Sequence, residues 1–301
     1  MKIHLIQMAA KSNDKKTNLE KILRYVEEGL SKGADLIIFG ELALDGYDLS
    51  GVNYRELAEP IPGPSTEAVA KCISGKGCYV VFGMAESDRG FVYNAAPLIG
   101  PRGVVGAARK LYLADFKSPL TGKTYCESVH FRPGQQISVF DTDFGRIGIQ
   151  ICLDFYHSEV AQAQALAGAW LIAHPSATPL IAGGKFPSVW ETRPWESSAC
   201  WCYVNVLSDD PENKFNGGTG LYLAGRGIQT QASIGEQAKE DVLEYEVESR
   251  TIFEARQAFS PLRDIRPEIV RQFLLAVEDS RHGISMQKGQ GVRIVREKDN
   301  G

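Results

Sequence analysis

Strand-like apolar runs alternate with helix-like segments along most of this chain, and that order restricts its fold more than any other feature. Lys2 to Met8 alternates like a strand. Asn18 to Leu30 then sets Leu19, Ile22, Leu23, Val26 and Leu30 on one side of a helix that Gly33 ends. Asp35 to Phe39 is a continuous apolar strand, Ser65 to Ile73 a helix opened by Pro64, and Cys78 to Met84 a further buried strand. Phe91–Ile99 and Val104–Lys110 read as a hairpin around Pro101-Arg102-Gly103. The pattern continues with a strand at Gly145–Ile151, a helix at Ser158–Leu166 and a strand at Trp170–His174. A helix at Glu191–Ala199, a strand at Trp201–Val206, a hairpin of Leu221–Ala224 with Gly227–Ala232 and a closing strand at Val242–Val247 complete it.

Such alternation predicts an α/β protein whose strands are covered on both faces, with inserted hairpins making the sheets mixed. The 301 residues show no internal repeat, low-complexity stretch or linker. One domain over residues 1–280 is therefore expected, with a polar, glycine-punctuated tail at 281–301. A chain this long buries roughly three quarters of its unfolded surface and needs no disulfides to hold a core.

Charge and composition narrow the function classes. The formal charge of −4 is spread along the chain, which gives no reason to expect nucleic acid or a membrane as partner. The first ten residues alternate like a strand and lack a small-residue cleavage site, so no signal peptide is expected. No apolar run approaches the ~20 residues of a membrane span. Six cysteines without a CxxC pair read as reduced thiols of a cytoplasmic protein.

Three segments place a reactive side chain at the C-terminal end of a predicted strand, where open α/β sheets build their sites. They are Leu36-Ile37-Ile38-Phe39-Gly40-Glu41, Ala108-Arg109-Lys110-Leu111 and Ile147-Gly148-Ile149-Gln150-Ile151-Cys152-Leu153-Asp154. Alone, each has a structural explanation: a capping glutamate, a solvated lysine, an inert core cysteine. Together they put a carboxylate, an ammonium and a thiol at strand ends of one sheet.

These segments resemble the carbon–nitrogen hydrolase, or nitrilase, superfamily, in its amidase- and carbamoylase-like branch. The resemblance rests on Phe39-Gly40-Glu41, Arg109-Lys110-Leu111 and Ile151-Cys152-Leu153-Asp154 with Glu159. It extends through Gly168-Ala169-Trp170-Leu171-Ile172-Ala173-His174-Pro175-Ser176-Ala177, then Arg193 and Glu196, then Tyr203-Val204-Asn205. Glu127 with Phe131-Arg132-Pro133-Gly134 resembles the loop that carries the family's second active-site carboxylate.

The resemblance implies a four-layer α-β-β-α sandwich, a homodimer or higher homo-oligomer, small amide-type substrates and no metal or organic cofactor. It also implies a Glu–Lys–Cys triad of Glu41, Lys110 and Cys152. The chemistry is consistent: Cys152 as nucleophile, Glu41 as proton carrier, Lys110 and the Leu153 N–H as oxyanion donors. A helix N-terminus after Cys152, together with Lys110, is expected to lower the thiol's pKa. Glu127 is expected to orient Lys110 or the substrate nitrogen. The helix near Ser158–Leu166 and the one with Arg193 and Glu196 resemble the family's subunit-facing surfaces.

Departures matter as well. Many amidases of the family carry Tyr-Asp-x-Arg-Phe after the cysteine, whereas this chain reads Leu153-Asp154-Phe155-Tyr156-His157. Tyr156 in the arginine position predicts a substrate without a carboxylate at that wall. Nitrile-cleaving members tend to have Trp-Glu there, so an amide or carbamoyl compound is expected over a nitrile. Loss of a triad member would signal an inactive scaffold, and none is lost. Leu153, Tyr156, Phe116 and Trp190 are the candidate substrate-lining residues. His157 reads as a pocket-wall or helix-start residue, too close to Cys152 in sequence for a protease dyad. Cys200 and Cys202 share a strand face without a second ligand pair, which favours core packing over zinc.

Overall fold

The computed structural model describes residues 1–118, 122–179, 189–208, 215, 217–224, 230–234 and 239–283. The chain opens with β1 (Lys2–Gln7), α1 (Lys15–Ser31), β2 (Leu36–Phe39), α2 (Tyr54–Leu57) and α3 (Pro64–Ile73). It continues through β3 (Tyr79–Val81), β4 (Met84–Asp88), β5 (Phe91–Gly100), β6 (Gly103–Arg109), β7 (Asp115–Lys117) and β8 (Thr124–Cys126). Then come β9 (Ser138–Thr142), β10 (Gly145–Ile149), α4 (Ser158–Leu166), β11 (Leu171–Ser176), α5 (Val189–Ser197) and β12 (Cys200–Asn205). The described elements end with β13 (Gly220–Ala224), β14 (Thr230–Ile234), β15 (Asp241–Glu246), α6 (Ser249–Ala258) and α7 (Pro267–Gly283).

Two sheets result. The first runs β15-β1-β2-β3-β5-β4 with β6 on β5; the second runs β14-β13-β12-β11-β10-β9. Strands β1, β2 and β3 are parallel, as are β10, β11 and β12, and antiparallel strands flank both groups. Side-chain alternation sorts the layers. Ile3 and Leu5, Leu36 and Ile38, Leu171 and Ala173, and Cys200, Cys202 and Val204 meet in one apolar core between the sheets. The opposite faces of the first sheet, Ile6, Ile37 and Phe39, pack on Ile22 and Val26 of α1 and Val69 and Ile73 of α3. Ile172, Trp201 and Tyr203 do the same for the second sheet beside Ala161 of α4. The result is the four-layer α-β-β-α sandwich with mixed sheets, and both Cys200 and Cys202 are spent on its central core.

Differences from expectation have local causes. Helix α1 starts at Lys15, because the Asp14 side chain accepts the Thr17 N–H at 3.2 Å and caps it early. The apolar run 78–84 is two strands: β3 stops at Val81 and β4 starts at Met84 as the edge partner of β5. Gly83 marks the break, since a Cβ there would lie 2.2 Å from Leu42 N. The chain divides into two compact units, Met1–Leu262 and Arg263–Gly301. The second contains α7, a helix through Gly283 that periodicity did not flag. The remainder of the tail, from 284, lies outside the described residues.

Candidate active site

The three expected side chains do come from strand ends, but from two sheets rather than one. Glu41 follows β2 and Lys110 follows β6, both in the first sheet, while Cys152 follows β10 in the second. The sheets meet here because Ser176 O, at the end of β11, accepts both Glu41 N–H (3.4 Å) and Val206 N–H (3.1 Å). Gly40 permits that approach: a Cβ on it would stand 2.5 Å from Val206 Cγ1.

Glu41, Lys110 and Glu127 are fully buried. Lys110 Nζ donates to Glu41 Oε1 and to Glu127 Oε1, each at 2.7 Å. Asn94 Nδ2 donates to the same Glu41 oxygen at 2.7 Å, whereas Glu41 Oε2 has no hydrogen-bond partner among the described residues. Glu127 is held from two further directions, by Tyr47 Oη (2.6 Å) on Oε1 and by Ala114 N–H (2.8 Å) on Oε2. Glu127 is thus fixed as a second hydrogen-bond partner of the Lys110 ammonium, alongside Glu41 Oε1.

Charge balance sets the protonation states. Burial, and then the Glu127 charge, raise the Glu41 pKa against the pull of Lys110. Burial opposes the charge on Lys110, yet Glu127 and Glu41 outweigh it and hold the ammonium well above its ordinary value. The thiol departs from expectation. Burial first, then Glu41, push Cys152 up to about 12, with Lys110 pulling the other way. Two carboxylates against one ammonium leave a net negative site. The helix dipole is missing too: Cys152–Tyr156 is a short 3₁₀ turn, and α4 starts only at Ser158. The resting group is a thiol beside a basic carboxylate.

Backbone and capping groups fix Cys152. Its φ of 45° is a left-handed conformation that a side-chain-bearing residue adopts only under surrounding constraint. Its carbonyl oxygen lies 3.1 Å from His174 Nε2. Burial pushes His174 down to about 3, so the imidazole is neutral and its N–H can donate there. Asp154 ties the two sheets' loops together: Oδ1 accepts Leu111 and Tyr112 N–H at 2.9 Å, and Oδ2 accepts Ile151 N–H at 3.0 Å. Ala177 O and Thr178 Oγ1 lie 4.0 and 3.7 Å from the sulfur.

The candidate lining residues are less uniform. Leu153 packs against the apolar group of Tyr47, Ala177 and Phe215. Tyr156 is half-exposed and within electrostatic reach of Cys152. Phe116 stands on the β7–β8 ribbon with its ring 5.6 Å from Tyr125, and no described contact joins it to Cys152. The Trp190 side chain lies outside the described residues. His157 occupies the N-cap position of α4 without a capping side-chain bond, its ring stacked on Tyr112 with centroids 3.3 Å apart. Sequence reading assigned no role to Tyr47, Asn94, Thr178 or Asn205. Asn94 alone carried a signal, as an amide inside the otherwise apolar strand β5.

A four-layer sandwich whose two sheets bring a thiol to a buried carboxylate–ammonium–carboxylate cluster belongs to the α/β proteins arranged for covalent chemistry at a cysteine. The chain belongs to the carbon–nitrogen hydrolase family, which matches residues 2–193. It is 34% identical over 179 residues to a nitrilase of Pyrococcus abyssi, a match covering 58% of this chain and 64% of that protein. It is 30% identical over 289 residues to omega-amidase NIT2-A of Xenopus laevis, covering 93% of this chain and 99% of that one. The structure of Saccharomyces cerevisiae Nit3, a member of branch 10 of the nitrilase superfamily, superposes with a TM-score of 0.74 at 21% identity. That superposition covers 89% of this chain and 96% of the yeast protein, and it shows a shared fold.

Proposed function

We propose that this protein hydrolyses the C–N bond of a small non-peptide amide or carbamoyl compound through an acyl-enzyme on Cys152. The observation that carries this reading is the free Oε2 of Glu41, a buried carboxylate whose other oxygen is fixed by Lys110 and Asn94. Cys152 Sγ attacks the carbonyl carbon while its proton passes to Glu41 Oε2. The tetrahedral oxyanion is met by Lys110 Nζ and the Leu153 N–H. Glu41 gives its proton to the departing nitrogen, which leaves as ammonia or an amine, and a thioester remains. Water, deprotonated by Glu41, attacks the thioester; the acid departs and the thiol regains its proton. A raised Glu41 pKa suits both directions of transfer.

Support also comes from the omega-amidase name of the relative aligned over nearly its full length. Leu153-Asp154 after the nucleophile favours an amide over a nitrile; the shorter match to a nitrilase keeps nitriles as the alternative to assay. A homodimer built on α4 and α5 and a reducing, cytoplasmic setting for six free cysteines complete the proposal. No helix among the described residues is long and apolar enough to cross a membrane.

The test is ammonia release from a panel of amides, carbamoyl compounds and nitriles, followed by mass spectrometry of a slow reaction. Wild-type protein should carry an acyl adduct on Cys152, and Cys152→Ala should lose turnover with its thermal unfolding unchanged. Normal activity in Cys152→Ala would sink the assignment.

A further inference from the structure

The proposed reaction leaves one set of groups around the sulfur without a task. Thr178, just beyond β11, has its hydroxyl 3.7 Å from Cys152 Sγ, within range of an O–H···S hydrogen bond. Its backbone is clamped by Asn205 at the end of β12. Asn205 Oδ1 accepts Thr178 N–H (2.8 Å), and its Nδ2 donates to Thr178 O (2.9 Å) and Gly217 O (2.8 Å). Asn205 N–H in turn donates to Thr219 Oγ1 at 3.0 Å. Near Thr178 stands Tyr203, fully buried.

The donor inventory decides what this arrangement does. The Ala177 carbonyl, 4.0 Å from the sulfur, can only accept, so it suits the resting thiol and opposes a thiolate. The charges felt by the sulfur are Glu41, Lys110 and Glu127, whose sum is negative. Tyr47, Tyr156 and Tyr203 are the titratable hydroxyls that feel it, and burial raises all three, so they remain neutral. A thiolate forming here has Lys110 on the cationic side, and that ammonium is already shared between two carboxylates. Among the described residues, the Thr178 hydroxyl is the neutral side-chain donor in contact.

We propose that the Thr178 hydroxyl is a catalytic donor to the Cys152 sulfur as it ionises, with Asn205 as the residue that positions it. The step it assists is named by the amide-hydrolase reading, but the contact with sulfur does not depend on which bond is cleaved.

Alkylation of Cys152 by iodoacetamide reads the thiolate directly and needs no substrate. Its second-order rate would be followed by mass spectrometry of the Cys152 peptide across the neutral to alkaline range. Thr178→Val and Thr178→Ala should react about tenfold or more slowly near neutral pH, with the midpoint of the pH profile moved up. Thr178→Ser should stay within about twofold of wild type. Should Thr178→Val fail to fold, the pair Thr178→Ala and Thr178→Ser carries the comparison. Wild-type rates and midpoints in both Val and Ala variants overturn the proposal, as does a serine variant as slow as the alanine one. The two readings separate cleanly: a protein that releases no ammonia from any amide but shows this alkylation pattern refutes the amide reading and keeps the donor. Amide hydrolysis with a Thr178→Ala variant equal to wild type in both assays does the reverse.

Discussion

At the scale of single residues, substrate polarity turns on whether Arg193 or Arg109 is available to pair with a carboxylate. Arg193 spends its Nε on Phe155 O (2.8 Å), its Nη2 on Tyr156 O (3.1 Å) and its Nη1 on Glu196. Arg109 forms a two-pronged pair with Glu86, both contacts at 2.7 Å, reaches Asp88 at 2.8 Å, and lies 3.8 Å over the Tyr93 ring. Neither is spare, and the residue at this wall is Tyr156 rather than an arginine. A carboxylate brought to this wall would lose water without gaining a charged partner, which is costly. A neutral amide is therefore expected to exceed its carboxylated analogue in kcat/KM by about tenfold, roughly 1.4 kcal/mol. Equal rates, or a preference for the anion, would show that Tyr156 does not set polarity.

The same scale shows what was legible in the chain. Glu41, Lys110 and Cys152 announced themselves because a reactive side chain at the end of an apolar strand is locally visible. Glu127 came only through resemblance. Tyr47, Asn94 and Thr178 matter through distant partners, and a hydrogen bond between residues 80 or 53 apart leaves no local mark. The thiol's basicity departs from expectation for a related reason: burial of the sulfur, and then the Glu41 charge set against Lys110, are visible only in three dimensions.

At the scale of elements, the segment joining β2 to α3 is secured by a buried carboxylate with a cost that depends on pH. Asp45, fully buried, accepts Ala85 N–H at 2.7 Å and has Lys15 Nζ at 3.6 Å. Burial outweighs Lys15 and the Ala85 bond and raises Asp45 to about 7. A raised carboxyl pKa means that the folded state binds the proton more tightly than the unfolded chain. Its stabilising effect is fully present below the unfolded value of about 4 and is lost as pH rises through about 7, up to about 4 kcal/mol in all. In Asp45→Asn that pH dependence should vanish, so the wild-type-minus-variant difference in unfolding free energy should fall steadily from pH 4 to pH 7. Denaturant titrations at several pH values would measure it, and a flat difference would show that Asp45 does not bind the proton. Helices α3 and α4 were legible, α4 matching its predicted span and α3 differing by one residue, but α6 and α7 were not foreseen. Short strands such as β4 and β9 were not, because an edge strand with charged residues lacks the apolar run that reveals a central one.

For the whole molecule, strand alternation foretold an α/β architecture but could not say which sheet each strand would join. That allocation puts Cys152 after a strand of one sheet and Glu41 and Lys110 after strands of the other. Assembly is the remaining question at this scale. Helices α4 and α5 lie over the outer face of the second sheet, and α4 ends on Leu166, an apolar side chain left 59% exposed. Tyr156, just ahead of α4, is 49% exposed. Covering such side chains with a second copy around a twofold axis repeats each contact twice, which is the commonest way for an assembly to close. Light scattering at micromolar concentration is therefore expected to give twice the 33.0 kDa chain mass, or a multiple of that. Replacing Leu166 with arginine should shift the protein toward monomer by burying an unpaired charge at the contact. Monomer alone in the wild type would remove the dimer. A stable dimer that ignores Leu166→Arg would move the interface to another face, because a charge at the end of α4 can be harmless only where α4 faces water.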